Sequence, residues 1–156
     1  MIECDMIVNL NRLPEMPVLS DGISIRRGFA GNKEQILSFV AEHFSKGWVG
    51  ETEKALWNNT CFIAVQDGKV VGVANFDTSA KGFFGPIGVH PDLRGKKVGA
   101  ALLIRTLRCM YETGYGYAII GWVGDAAKFY EKLVGATFIP GGEPENSVYM
   151  NMVQMD

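Results

Sequence analysis

The sequence has few of the residues that build metal centres and disulfide frameworks. Its 156 residues include three cysteines and two histidines. Cys4, Cys61 and Cys109 show no CxxC spacing, and their odd number argues against a set of disulfides. His43 and His90 lie far apart, so the spacing of a zinc-type ligand set is missing. We therefore predict free thiols and no metal site, which fits a cytoplasmic protein.

Long apolar runs and a large net charge are also missing. No segment approaches the roughly 18 consecutive apolar residues that cross a bilayer. The first residues contain acids and no basic leader, so we do not expect a signal peptide. A net charge of −2 speaks against a general nucleic-acid-binding protein. We predict a cytoplasmic protein with neither a membrane nor a nucleic acid as partner.

Basic side chains are concentrated in one segment between Val89 and Cys109. This segment has one acid, Asp92, and several cationic residues: Arg94, Lys96, Lys97, Arg105 and Arg108. Such a positive island on a mildly acidic chain indicates a locally bound anion. The alternative explanation is a solvated helix face on which the charges cluster by chance.

The order of apolar patterns predicts a mixed α/β fold. We expect an N-terminal extension over residues 1–20 and a single domain over 21–156, with a sheet of six to seven mostly antiparallel strands and helices on both faces. Predicted strands cover 6–10, 23–27, 61–66, 69–76, 82–90, 117–122, 136–140 and 147–153. Predicted helices follow Asn32, cover 51–58 and 97–113, and run from an Asp125 cap to Val134.

Two dipeptides set the geometry of the predicted strands. Asp67-Gly68 suits a tight hairpin, because both residues tolerate positive φ. Gly85-Pro86 interrupts the strand over 82–90, so we predict a bulge there.

The segment IGVHPDLRGKKVGAALL joins a strand to a helix through a basic loop that contains glycine. A helix N-terminus offers free N–H groups and a positive dipole end, which suits phosphate. Gly95 and Gly99 allow close approach of a ligand, and the neighbouring cations supply charge. The segment is neither Walker A nor GxGxxG, so the pattern predicts a pyrophosphate-type anion without specifying a nucleotide.

The same segment resembles the acetyl-CoA motif of the GCN5-related N-acetyltransferase (GNAT) family. The motif Q/R-x-x-G-x-G/A corresponds to Arg94 through Gly99, after the common lead-in Val89-His90-Pro91. A later stretch, AAKFYEKLVGATFIPG, resembles the family's second signature. The order of elements over residues 23–153 agrees with a GNAT-like fold. One departure is Lys97, which stands where the motif usually has glycine.

The resemblance implies direct transfer of an acetyl group from acetyl-CoA to a primary amine of a small molecule or a peptide. It implies Tyr130 as the general acid, and Ile87 and Val89 on the bulged strand as donors to the oxyanion. No metal is implied. The residues implied to bind acetyl-CoA are Ile87, Gly88, Val89, Arg94, Gly95, Lys96, Lys97, Val98, Gly99, Ala100 and Lys128.

The sequence does not identify the general base of the reaction or the acceptor amine. Candidate bases are Asp77, Glu51, Glu53, His43 and His90, each of which also fits a purely structural or surface role. The implied acceptor region offers aromatic residues and two acids: Trp48, Trp57, Phe83, Phe84, Trp122, Glu143 and Glu145. Aromatic rings beside acids suit a small cationic amine, although for any single ring core packing is the favoured explanation.

Two other functions remain as alternatives to an enzyme. Lys97 and the absence of a carboxylate in 82–90 are compatible with a domain that binds acetyl-CoA or CoA as a sensor and does not turn it over. The stretch 1–20 is compatible with an interaction module, and a homodimer is one form that this could take.

Overall fold

A computed structural model describes residues 3–153 of the chain. Within that range seven strands form one sheet: β1 Cys4–Asn9, β2 Ser24–Arg27, β3 Cys61–Gln66, β4 Lys69–Phe76, β5 Phe83–Val89, β6 Tyr117–Val123 and β7 Thr137–Phe138. The same range contains four α-helices: α1 Lys33–His43, α2 Lys46–Asn58, α3 Val98–Thr113 and α4 Ala127–Val134. None of the helices described is long and apolar enough to span a membrane.

The strands lie in the order β2-β3-β4-β5-β6-β1-β7. Every neighbouring pair is antiparallel except β5 and β6, which run parallel. The hairpin between β3 and β4 turns at Asp67-Gly68, with φ of 51° and 73°. The mixed, mostly antiparallel sheet and the hairpin are thus confirmed.

Helices cover both faces of the sheet because its strands alternate in the way that a buried sheet requires. On β3, Phe62 and Ala64 belong to one core together with α3 and α4. Cys61 and Ile63 point the other way, into a second core with α1 and α2. The prediction of helices on both faces is confirmed.

The strand β5 contains the predicted irregularity. Ala74 of β4 pairs with Ile87, whereas Phe76 pairs with Phe84, so β5 has one extra residue at Gly85-Pro86. The Gly85–Pro86 peptide bond is cis. The predicted bulge is confirmed, in the fifth strand of the chain.

The two ends of the described chain differ from the sequence prediction. Cys4–Asn9, within the stretch expected to be an extension, is an inner strand between β6 and β7. The predicted strand over 147–153 is wrong: Val148–Asn151 is a 3₁₀ helix. Strand β1 pairs with β6, with Met6 opposite Ile120. The last segment therefore cannot pair with that edge of β6. Residues 1–2 lie outside the described range.

Two helix starts also differ from the prediction. Helix α2 begins at Lys46 rather than at residue 51, because the Ser45 hydroxyl accepts the Trp48 N–H at 3.3 Å. Asp125 does not cap α4, whose N-cap residue is Ala126 without a side-chain hydrogen bond. The expected stop of α3 at Gly114 is confirmed by its φ of 118°.

Candidate functional site

The parallel strands β5 and β6 separate shortly after they begin. They pair at Phe83↔Ile119 and Phe84↔Ile120, and no further pairing follows. Helices α3 and α4 come after the carboxyl ends of these two strands. Ligands of open α/β sheets bind at such ends, so the opening between β5 and β6 is the natural place for a site.

The backbone of β5 has free groups along this opening. The His90 N–H donates to Val71 O of the β4 side at 2.8 Å. Because the hydrogen-bonding direction alternates along an antiparallel strand, Gly88 also faces β4, whereas Ile87 and Val89 face the opening. The two N–H groups are therefore directed to the side from which β6 has separated.

The N-terminus of α3 lies at the end of the same strand. The first helical N–H groups, those of Val98, Gly99 and Ala100, have no intrahelical acceptor. Gly95 has φ of 81° and open space where a Cβ would stand, so a ligand can approach its backbone. We call residues 94–100 the cradle. Its cations Arg94, Lys96 and Lys97 are exposed.

Lys97 occupies a backbone conformation that favours glycine. Its φ of 65° and ψ of 13° lie in the left-handed region, immediately before α3. Such a conformation costs a residue with a side chain about 1–3 kcal/mol. Position 97 of the motif therefore has positive φ, and lysine adopts it under strain.

We expect Lys97→Gly to raise the free energy of unfolding by roughly 1 kcal/mol, because relief of strain exceeds the entropy that glycine loses on folding. Urea unfolding followed by circular dichroism measures this. Lys96→Gly is the matched control, since Lys96 is not among the residues with positive φ, and it should lower stability. A destabilised Lys97→Gly protein would contradict the assignment of strain.

Lys96 of the cradle forms an ion pair with a residue before β2. Its Nζ lies 2.9 Å from Oδ2 of Asp21. The hydrogen bond and the charge of Lys96 lower the pKa of the Asp21 carboxyl, so the pair persists at neutral pH. In this arrangement one cation of the cradle is already neutralised.

We expect Asp21→Asn to tighten the binding of acetyl-CoA about two- to fivefold, the scale of one exposed charge. Asparagine tolerates the φ of 59° that Asp21 adopts, so the fold should be kept. Calorimetric titration at two salt concentrations measures the gain, which should shrink at high salt. Unchanged affinity at low salt would show that Lys96 does not face the ligand.

The second motif of the sequence meets the cradle through Phe129. A Cβ on Gly99 would lie 3.9 Å from Phe129 Cζ and 3.8 Å from Val89 Cγ2. The rings of Phe129 and Tyr130 are 5.2 Å apart, edge to face. The structure thus brings α4, the cradle and β5 together. Lys128, beside Phe129, is exposed.

Tyr130 is buried, with 7% of its surface exposed. Burial raises the pKa of its phenol to about 12. No hydrogen bond of its hydroxyl is found among residues 3–153, and this oxygen is not among the fully enclosed atoms without a partner, so a ligand can reach it. Since the pKa is raised, the phenol stays protonated throughout the neutral and mildly alkaline range.

A cleft of about 770 Å³ opens between the separated strands on the side of α2. Its walls include Trp48 of α2, Trp122 of β6 and Tyr149 of the last segment. Glycine allows two of the close contacts in this region. The Phe44 ring covers Gly88 and stacks on Trp48 at 4.8 Å, and Tyr149 lies directly over Gly121. The cleft lies within the size range of small-molecule sites.

Several sequence candidates lie elsewhere. The carboxylate of Asp77 accepts the Tyr115 hydroxyl at 2.8 and 2.9 Å, and Glu53 pairs with Lys33 at 2.8 Å. His43 and His90 lie together, with ring centroids 4.8 Å apart, beside a separate depression of about 300 Å³. Other candidates do not line the large cleft: Trp57, Phe83, Glu143 and Glu145.

Three further residues belong to the cleft: Glu51, a candidate base in the sequence, and Ser79 and Tyr149, which the sequence did not single out. Glu51 lines the cleft, and its Oε1 accepts a hydrogen bond from the Ser79 hydroxyl. Ser79 and Tyr149 line the same cleft. No sequence signal marks these two, because a lone serine or tyrosine outside a motif has no distinctive spacing.

Comparison with protein families gives a direct match. A model described as an acetyltransferase (GNAT) domain matches residues 57–133, which include the cradle and Tyr130. The GNAT resemblance predicted from the sequence is thereby confirmed over these residues. No curated protein sequence matches the chain.

Solved structures with a similar fold agree with the GNAT assignment. A GCN5-related N-acetyltransferase from Sphaerobacter thermophilus is 22% identical, with a TM-score of 0.69 over 89% of this chain and 50% of that one. A fungal GCN5-related glucosamine N-acetyltransferase region, within a multi-domain β-N-acetylglucosaminidase, is 14% identical, with a TM-score of 0.72 over 89% and 20%. A GNAT family acetyltransferase from Brucella melitensis, in complex with acetyl-CoA, is 19% identical, with a TM-score of 0.53 over 70% and 82%.

These identities establish a shared fold and nothing finer. The present chain spans half or less of the length of the first two structures. The chain therefore shares the fold of these structures, and its substrate can be inferred only from its own residues.

Proposed function

We propose that the chain is an acetyl-CoA-dependent N-acetyltransferase in which a primary amine attacks the thioester directly. One observation carries the proposal: Phe129 joins the α3 N-terminus to the helix that bears Tyr130, at the opening between β5 and β6. A phosphate-binding backbone and a proton donor thus belong to one site.

The cradle fits the pyrophosphate of acetyl-CoA. The free N–H groups at the start of α3 and the positive end of its dipole suit phosphate oxygens. Arg94, Lys96 and Lys97 add charge, and Lys128 on α4 is exposed for further phosphate contact. Lys97 keeps its backbone N–H, so the motif's departure from glycine does not remove a donor.

The opening of β5 supplies the groups that stabilise the reacting carbonyl. The N–H groups of Ile87 and Val89 face this opening. Fixed backbone donors that are directed to a developing oxyanion lower the barrier, because they need no reorganisation during the reaction. Gly88 lies between them, and because it has no side chain the Phe44 ring packs directly against its backbone.

Tyr130 donates the proton that the leaving group needs. The amine nitrogen forms a bond to the carbonyl carbon, the carbon–sulfur bond breaks, and Tyr130 protonates the departing thiolate. The tyrosinate then regains a proton from the new amide nitrogen. An ammonium that enters the site loses one further proton, so acetyl transfer releases one proton overall.

Release of free thiol from acetyl-CoA in the presence of a panel of primary amines tests this function. We expect amine-dependent release of thiol. Binding of acetyl-CoA by calorimetry, with no thiol release for any amine, would instead support a non-catalytic sensor. The strained Lys97 is the observation that keeps this second function in view.

A further inference from the structure

The large cleft contains a single acidic side chain. Among its described lining residues, Glu51 is the one carboxylate and Lys46 the one cation. Aromatic rings form much of the remaining wall: Trp48, Phe84, Trp122 and Tyr149. Rings attract cations through their negative faces, so a carboxylate surrounded by them suits an ammonium group.

Neighbouring hydroxyl groups hold one oxygen of Glu51 in place. Oε1 accepts a hydrogen bond from Ser79 Oγ and lies 3.3 Å from Thr78 Oγ1. Its second oxygen, Oε2, has no hydrogen-bond partner among residues 3–153. Glu51 is thus oriented through one oxygen and keeps the other for a ligand.

Thr78 connects this carboxylate to the reacting edge of β5. Its Oγ1 lies 3.1 Å from Gly85 O, and Gly85 precedes Ile87 by two residues. Glu51 therefore lies beside the bulge of the strand whose free N–H groups face the opening. This position places it on the acceptor side of the opening, across from the cradle.

The pKa of Tyr149 reflects the negative charge of the neighbouring Glu51. Burial raises the pKa of the Tyr149 phenol to about 12, and the negative charge of Glu51 acts in the same direction. Tyr149 is therefore neutral at physiological pH and serves as a ring and a hydroxyl in the wall. Lys46 lies on the same helix as Glu51, five residues before it.

We propose that Glu51 binds the ammonium group of a small primary amine within this aromatic cleft and accepts its proton. The proposal rests on the acetyltransferase function above. Glu51 Oε2 takes one proton from the ammonium, the neutral nitrogen attacks the thioester, and the proton on Glu51 passes to solvent after the amide forms. The acceptor is thus a small molecule with a cationic amine.

Direct binding tests the subsite without any turnover. Benzylamine and its neutral analogue benzyl alcohol are titrated against the protein, with tryptophan fluorescence as the signal, because Trp48 and Trp122 line the cleft. Wild-type protein should bind benzylamine about tenfold more tightly than benzyl alcohol, the effect of one charged hydrogen bond. Glu51→Gln should abolish this preference.

Kinetics then test the proton transfer. At pH 7 Glu51→Gln should lower kcat/KM for benzylamine about 10²-fold, with KM for acetyl-CoA unchanged. The deficit should shrink as the pH approaches about 10, where an alkylamine loses its proton unaided. Tyr130 remains protonated there, because its pKa is about 12. A purely structural role of Glu51 predicts a deficit that does not depend on pH.

Matched variants separate the subsite from general damage. Glu53→Gln, on the same helix but paired with Lys33 outside the cleft, should behave like wild type. Ser79→Ala removes one orienting bond and should give a smaller loss than Glu51→Gln. Thermal unfolding shows that each variant is folded.

The two proposals fail in different ways. Wild-type protein that does not distinguish benzylamine from benzyl alcohol overturns the subsite, whether or not it transfers acetyl groups. Transfer that Glu51→Gln leaves unchanged overturns it as well. A Glu51-dependent preference for benzylamine without any transfer supports the subsite and counts against the acetyltransferase.

Discussion

Tyr130→Phe should lower kcat about 10²-fold and leave the affinity for acetyl-CoA nearly unchanged, the scale of one general acid. The ring of Tyr130 is buried against Phe129, and phenylalanine fills the same space. The hydroxyl has no partner among residues 3–153, so its removal leaves no buried group without a hydrogen bond. Loss of rate without loss of stability is the expected signature.

Steady-state kinetics with saturating acetyl-CoA, together with calorimetric titration, separate the two effects. Phe129→Leu is a useful control, because it alters packing near the cradle and keeps the phenol. It should change the affinity for acetyl-CoA more than kcat. Unchanged kcat in Tyr130→Phe would remove the acid assignment, and the thiolate would then leave without help from this residue.

Gly99→Asp should weaken acetyl-CoA binding by about 10²-fold or more, since a like charge close to an anion costs several kcal/mol. Gly99 supplies one of the first free N–H groups of α3, where a phosphate is expected. An acidic side chain in the first turn is favourable for the helix itself. The variant should therefore fold normally and fail in binding.

Gly99→Ala is the control for space. A Cβ there makes ordinary contacts of 3.8 and 3.9 Å with Val89 and Phe129, so alanine should keep affinity within about threefold. Calorimetric titration of both variants shows whether the charge or the size of the new side chain weakens the binding of acetyl-CoA. If aspartate binds acetyl-CoA as well as glycine does, the phosphate lies elsewhere.

The sequence predicted the middle of the fold well because local patterns determine it. The alternation on β3 shows which residues face each layer of helices, and Asp67-Gly68 marks the hairpin. The strand over 147–153 failed for a non-local reason. Its composition suits a strand, but pairing needs a free edge, and β1 occupies that edge of β6.

The candidate site also has one part that local patterns determine and one part that they do not. The proposed donor half lies in two continuous motifs, so its residues, the cradle and Tyr130, could be named from the sequence alone. The acceptor half is assembled from separate parts of the chain: Glu51 comes from α2, Ser79 from the loop before β5, and Tyr149 from the last segment. A glutamate on a helix looks like a surface residue until its neighbours are known.

The backbone of Lys97 shows a further limit of sequence reasoning. The motif does not specify the backbone conformation of residue 97, and only the structure shows its φ of 65°. The position of the Phe129 ring, 3.9 Å from where a Cβ on Gly99 would stand, likewise brings together residues 30 positions apart, which no local pattern predicts.

Transfer of a labelled acetyl group is the decisive test of the proposed acetyltransferase. Acetyl-CoA that carries a heavy isotope in its acetyl group is incubated with the protein and benzylamine, and the products are identified by mass spectrometry. We expect label on the amine nitrogen, together with an equal amount of free CoA. Intact acetyl-CoA, or label found in acetate alone, would contradict it.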